Sequence, residues 1–296
     1  MRITHQAIVS QAIMDMQQSL KRVEDARAQV TTGRRVLRPA DDPVDASRIL
    51  NLRGQQGQIQ QHNRNIDNAL SRLNQTETAL AGMSDMLIQL KEKALQLGTQ
   101  PTVTDRDRES AVETIEQLKQ EVVQLANTKI GNQYLFAGTK TNTRPYEIVG
   151  DRVIYHGNTS AISVEVGVGN TVAVNIPGQQ VFDTSPDGIF QMLEDFKQAL
   201  ATNDTGALKE IIDRVDTHSE TVLNARAVNA GRAERLEISQ ERLFNDEIGA
   251  AQTLSQVEDV DMASAITMFA EQQNAYQATL TAAARAIQPS LLSVLG

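Results

Sequence analysis

Apolar side chains return at every seventh position from 52 to 94, as Leu52, Ile59, Ile66, Leu73, Leu80, Leu87 and Ala94. A strict seven-residue column belongs to a helix, because two turns bring the chain back to one side; a strand alternates and cannot carry it. A second column reads Leu208, Val215, Val222, Asn229, Leu236, Leu243, Ala250 and Val257. A helix from Pro43 to about Leu97 is roughly 80 Å long at 1.5 Å per residue. Nothing that long holds in water by propensity alone, so each stripe needs a partner stripe. The expected fold class is mainly α, a long antiparallel or coiled-coil bundle. Composition agrees: 40% of residues are apolar but only 3% aromatic, so Leu, Ile, Val and Ala supply the contacts.

The first helix is broken rather than continued at TTGRRVLRPADDPVDASRIL, residues 31–50. Gly33 accepts the left-handed backbone that ends helices. Asp42 can take up free amides of a new first turn, Pro43 suits its first position, and Asp45 sits at the positive end of the dipole. Arg34, Arg35 and Arg38 stand close to Asp41 and Asp42, so opposite charges can pin this neck locally or pair between subunits. An exposed pair of that kind contributes about 0–1 kcal/mol.

Ala111, Ile115, Leu118, Val122 and Leu125 mark a third helix, joined to the second by a connection short enough for an antiparallel pair. From Tyr134 the character changes, and seven of the ten aromatics fall between Tyr134 and Phe196. Ile162, Val164, Val166 and Val168 alternate, as do Val172, Val174 and Ile176, which predicts a hairpin. A two-residue turn at Gly169-Asn170 puts the two sets on opposite faces; a three-residue loop over 169–171 aligns them, and burial favours the loop. Ile189, Leu193, Phe196 and Leu200 mark a further helix.

Both ends carry a 3–4 apolar spacing: Val9, Ile13, Met16, Leu20, Val23 and Val30 at the head, and Met262, Ile266, Phe269, Tyr276, Leu280, Ala283 and Ile287 at the tail. Gln273 in the tail seam and Asn229 in the long column read as ordinary solvated positions, with register-setting as the other role. The order is symmetric about the β segment, so the chain folds back and its terminal helices lie together. They pair with each other, or with other copies, or both. The expected domains are 1–40 with 258–296, 41–138 with 182–257, and a small β domain over 139–181.

A net charge of −9 argues against nucleic acid or an anionic membrane as the main partner. There is no cysteine, hence no disulfide or thiolate site. MRITHQAIVSQAIMDMQQSL lacks the uninterrupted apolar core of a secretory signal, so export is expected without a cleaved Sec signal. His5, His62, His156 and His218 fall in unrelated contexts, and no pair has metal-ligand spacing. No cofactor, metal or catalytic residue is expected, and the chain does not read as an enzyme.

TTGRRVLRPADDPVDA resembles the N-terminal signature of the flagellin-like axial proteins of the bacterial flagellum. Flagellins carry a Ser-Ser-Gly and an Asp-Asp-Ala-Ala run where this chain has Thr31-Thr32-Gly33 and Asp41-Asp42-Pro43, and the proline favours the junction members over filament flagellin. NQYLFAGTKTNTRPYE (132–147), NARAVNAGRAERLE (224–237) and the stretch 259–296 are similar to further family segments, in the same order. The resemblance implies an inner domain of paired terminal helices, a middle bundle and an outer β domain. It implies a structural part joining hook to filament, required for filament assembly and motility, and located extracellularly at the hook–filament junction. The implied partners are other copies of itself, an adjoining hook-associated protein, flagellin, and a cytoplasmic export chaperone at the C-terminal helix, with export through the flagellar type III apparatus. On this reading the head and tail residues above form the assembly interface, and 33–45 the neck. Filament flagellin is the alternative; outside the family, a signalling or adaptor coiled coil.

Overall fold

Pro43 opens the longest helix, and the carbonyl of Asp42 accepts from the amide of Ala46 at 2.9 Å as that helix begins. The computed structural model describes residues 2–99, 104–182 and 188–287. Helix α1 spans Arg2–Thr32, α2 Pro43–Thr99 and α3 Asp105–Ala126; α4 spans Ile189–Thr202, α5 Thr205–Glu258 and α6 Met262–Ile287. Between α3 and α4 lie β1 (Lys129–Ile130), β2 (Gln133–Tyr134), β3 (Tyr146–Val149), β4 (Arg152–Tyr155), β5 (Ser163–Gly167) and β6 (Asn170–Ala173). The chain divides into two compact units, Met1–Gln58 with Asn245–Gly296, and Ile59–Phe244.

In the unit 59–244, the apolar columns of α2 and α5 are buried along their length, from Ile59 to Ala94 and from Leu208 to Leu243. The helices run antiparallel, and polar rungs mark the register. Gln240 donates to Asp67 at 2.8 Å, Asn229 to the Leu73 carbonyl at 2.9 Å, Arg226 to Glu77 at 2.8 Å and Lys91 to Asp216 at 2.5 Å. Asn229 is therefore not a solvated position: it is 2% exposed. Its amide uses the spare lone pair of a helical carbonyl, so the column stays closed across a polar residue.

Thr104 caps α3 with a capping box, its hydroxyl accepting from the Asp107 amide while Asp107 accepts from the Thr104 amide. Gly82 of α2 lies against Leu125 at the far end of α3, as antiparallel packing requires. Helix α4 runs antiparallel to α3, and the buried Lys119 ammonium donates to Glu194 at 3.1 Å and to the Asp151 carbonyl at 3.0 Å. Five aromatic residues gather into one group: Phe182 stands edge-on to Phe136 at 5.1 Å and to Tyr146 at 5.6 Å, with Phe190 5.2 Å and Tyr155 5.0 Å from Tyr146. An otherwise Leu, Ile and Val interior has its bulk at this one place.

The β segment is three separate antiparallel hairpins. In the third, Val164 pairs with Val172, and Val164, Val166, Val172 and Val174 share one buried cluster. The single-face burial holds, but the expected three-residue loop does not form. Gly167 pairs with Asn170 across a two-residue turn, Gly169 takes φ +71°, and an irregularity between Glu165 and Gly167 supplies the extra residue. A bulge re-phases a strand as an odd loop would. Val168, at the turn, is 88% exposed.

In the other unit, α1 packs along α6, and Val36, Ala46, Ile49 and Val257 form a small separate core. No helix among the described residues is long and apolar enough to cross a membrane.

Candidate assembly interface

The irregular stretch after α1 is held by backbone as well as charge. Gly33 takes φ +69° and its amide donates to Gln29, closing α1 as its sequence predicts. The next residues pair with the break between α5 and α6. The Arg35 amide donates to the Glu258 carbonyl at 2.7 Å, and the Val260 amide to the Gly33 carbonyl at 2.9 Å, around an antiparallel bridge between Arg34 and Asp259.

Glu258 is buried, and its Oε1 accepts from Arg34 Nε and Arg53 Nη2, both at 2.5 Å. Arg35 pairs with Asp42 and with Asp45, and donates to the Val257 carbonyl at 3.0 Å. Asp41 folds back on its own turn, accepting from the amides of Leu37 and Arg38 at 3.2 and 2.8 Å. Arg38 is the outlier: it reaches only Asp25, at 3.9 Å, and stays largely exposed. Glu258 and Arg53 were not singled out from sequence.

Asp42 is held below the ordinary carboxylate pKa, first by the backbone amide of Asp45 and then by Arg35. A depressed folded value means that this stabilisation is complete above the unfolded-state pKa and is lost as pH falls through the folded one. Replacing Asp42 and Pro43 by alanine is expected to raise amide exchange in the first turn of α2 at neutral pH. It also removes the acid-side change in that turn's protection. Unaltered onset of α2 protection in the variant, with the acid-side change intact, contradicts this role.

Along α1 the covered line is Val9, Ala12, Met16, Ser19, Val23, Ala26 and Val30, with Ser19 and Ala26 fully buried. Val9, Met16, Val23 and Val30 thus lie on the seam with α6, while Ile13 and Leu20 stand beside it, each 40% exposed. The partner line on α6 is Ala265, Phe269, Gln272, Tyr276, Thr279 and Ala283. Phe269 and Tyr276 lie on it, Gln273 is solvated, and Met262, Ile266 and Leu280 remain exposed. The side chain of Ile287 lies outside the described residues.

The physical choice is between two neighbouring columns. The covered column alternates Ala12, Ser19 and Ala26 with Val9, Met16, Val23 and Val30, which leaves Ile13 and Leu20 outside it. Ile8, Met14 and Met268 add to the exposed apolar surface. Among the described residues no cluster of His, Asp and Glu could hold a metal.

The model of the bacterial flagellin N-terminal helical region matches residues 3–141. Flagellar hook-associated protein 3 of Escherichia coli strain K12 is 29% identical, over 91% of this chain and 94% of its own length. The Salmonella typhimurium protein of the same name is 27% identical over 94% and 95%. In fold, the crystal structure of a flagellar junction protein from Legionella pneumophila superposes with a TM-score of 0.60, covering 72% of this chain and all of that one at 16% identity. Over nearly its whole length the chain is similar to flagellar hook-associated protein 3, and residues 3–141 match the flagellin N-terminal helical region.

Proposed function

We propose that this chain is the structural piece that joins the flagellar hook to the flagellin filament, with no reaction to catalyse. The observation that carries the reading is the similarity to hook-associated protein 3 along almost the entire chain. The geometry supports it. The terminal pair covers its small-residue columns internally and presents Ile13, Leu20, Met262, Ile266 and Leu280 outward, a set suited to heterologous, non-closing contacts in a tubular lattice.

On this reading residues 1–40 and 258–296 form the inner part of the assembly, 41–138 and 182–257 the middle, and 139–181 the outer. The partners are other copies of the chain, the adjoining hook-associated protein and flagellin, with an export chaperone on the C-terminal helix. The protein works outside the cell after export through the flagellar apparatus. Filament flagellin is the competing reading.

Deleting the coding sequence is expected to give cells with hooks but no filaments, and unpolymerised flagellin released into the medium. The purified protein is expected to stay short of filaments. Intact filaments on the deleted strain, or long filaments grown from the purified chain alone, overturn the junction role.

A further inference from the structure

Of the covered or half-covered cations in the unit 59–244, most face a carboxylate; Arg232 meets the Asn175 carbonyl and stays half-exposed, whereas Arg72 is buried. Lys119, Lys197 and Arg226 each face a carboxylate: Glu194, Glu116 and Glu77. Arg72, on α2, is 7% exposed and has no carboxylate partner among the described residues. Its Nη1 donates to the Gln133 side-chain oxygen and its Nη2 to the Tyr134 carbonyl, both at 3.2 Å, and its buried Nε–H has no acceptor. A guanidinium stays charged in proteins, so it does not escape burial by losing its proton as a lysine can. Desolvating such a charge against two long bonds to neutral oxygens is unfavourable until an anion arrives.

A space for the anion lies beside it. Arg72 lines an open groove of about 620 Å³ between α2, the β1–β2 hairpin and the β5–β6 hairpin. Asn68 and Gln133 add neutral amides to the lining, and Ile162, Val164 and Val174 supply apolar wall. The Gln133 oxygen is engaged by Arg72, which leaves its NH2 to donate to a ligand. One positive charge with amide donors and an apolar wall fits a monoanion on a short aliphatic stem. A phosphate dianion calls for more cations than the groove holds.

We propose that this groove is a carboxylate-binding site, with the Arg72 guanidinium as its charged donor and an acidic side chain of a second copy of this chain as its occupant. That source follows from assembly: copies of this chain standing side by side bring acidic side chains to one another's surfaces, and each copy carries 37 acidic residues against 28 basic ones. The second copy as occupant rests on the proposed assembly into the flagellum, whereas the carboxylate site itself is tested on the free protein.

The test follows the Arg72 Nε–H resonance of the full-length, 15N-labelled protein, assigned by its loss in Arg72→Gln. N-acetyl-glutamate N-methylamide is expected to shift that resonance, and the glutamine analogue to leave it in place. A larger shift with inorganic phosphate than with the acidic probe overturns the carboxylate assignment. Source is read separately: Arg72→Lys, incorporated into flagella and treated with a zero-length carbodiimide, is expected to give a cross-link from position 72 to an acidic residue of a neighbouring copy. A probe shift without that cross-link assigns the site to free carboxylates and overturns the second copy as occupant. Neither shift nor cross-link reduces Arg72 to a clamp on the β1–β2 hairpin and overturns the proposal. Should Arg72→Gln fail to fold, the resonance is assigned in the unaltered protein by through-bond correlation from the Arg72 backbone, and the titration still decides.

Discussion

Replacing Ala26 with aspartate is expected to open the α1–α6 pair and abolish swimming. Ala26 is buried on the covered line of α1, where the seam is lined by Ala12, Ser19 and Ala26 on one helix and Ala265, Thr279 and Ala283 on the other. Ala26 is 5% exposed between Val23 and Val30 on that line, so a charge placed there is cut off from water. An unpaired carboxylate buried there costs several kcal/mol, on the scale of about 3–5 kcal/mol measured when one partner of a buried ion pair is removed. The variant should show faster amide exchange over 7–32 and 262–285 and no complementation of a deleted strain in soft agar. Gln18→Asp, on the exposed side of α1, is the control and should swim. Protected terminal amides and normal swimming in Ala26→Asp would remove the terminal pair from the mechanism.

Phe182→Ala is expected to have the largest effect on stability. Phe182 is fully buried and touches three other rings, lying edge-on to Phe136 and Tyr146 and stacked on Phe190 at 6.5 Å. Removing a buried phenylalanine costs about 3–5 kcal/mol through lost transfer energy and the cavity left behind. This site belongs at the upper end, because each lost ring pair adds about 0.5–1.5 kcal/mol beyond area. Urea unfolding should show the loss as a lower midpoint at unchanged slope. Phe244→Ala provides the contrast, since Phe244 is largely exposed and its truncation should fall within about 0.5 kcal/mol of the parent. A midpoint shift for Phe182→Ala no larger than that of Phe244→Ala would mean that the aromatic group is not the structural centre of its unit.

The features legible in advance share one property: their cause is local. The seven-residue columns of α2 and α5 hold because periodicity is set by the helix itself. Gly33 and Asp42 hold because a left-handed C′ residue and an acidic cap act within one turn. The β5–β6 pairing came out with the right face and the wrong turn. Alternation of Val164, Val166, Val172 and Val174 specifies burial, whereas a bulge and an odd loop satisfy it equally. Asn229 was misjudged because a polar residue in a column gives no sign of whether a carbonyl waits opposite.

The amino-acid order by itself determined that this chain is a mainly helical bundle, interrupted after Gly33, restarted at Pro43 and carrying a β segment rich in aromatics. Local backbone preference and period depend on no distant residue. Only the tertiary structure decided which of two adjacent stripes on α1 and α6 meet, that Glu258 joins Arg34 and Arg53, and that Arg72 is buried with no carboxylate partner among the described residues. Those outcomes depend on the separation of helices and on side chains brought together from far apart in the chain, and periodicity along a single helix carries no record of what stands opposite.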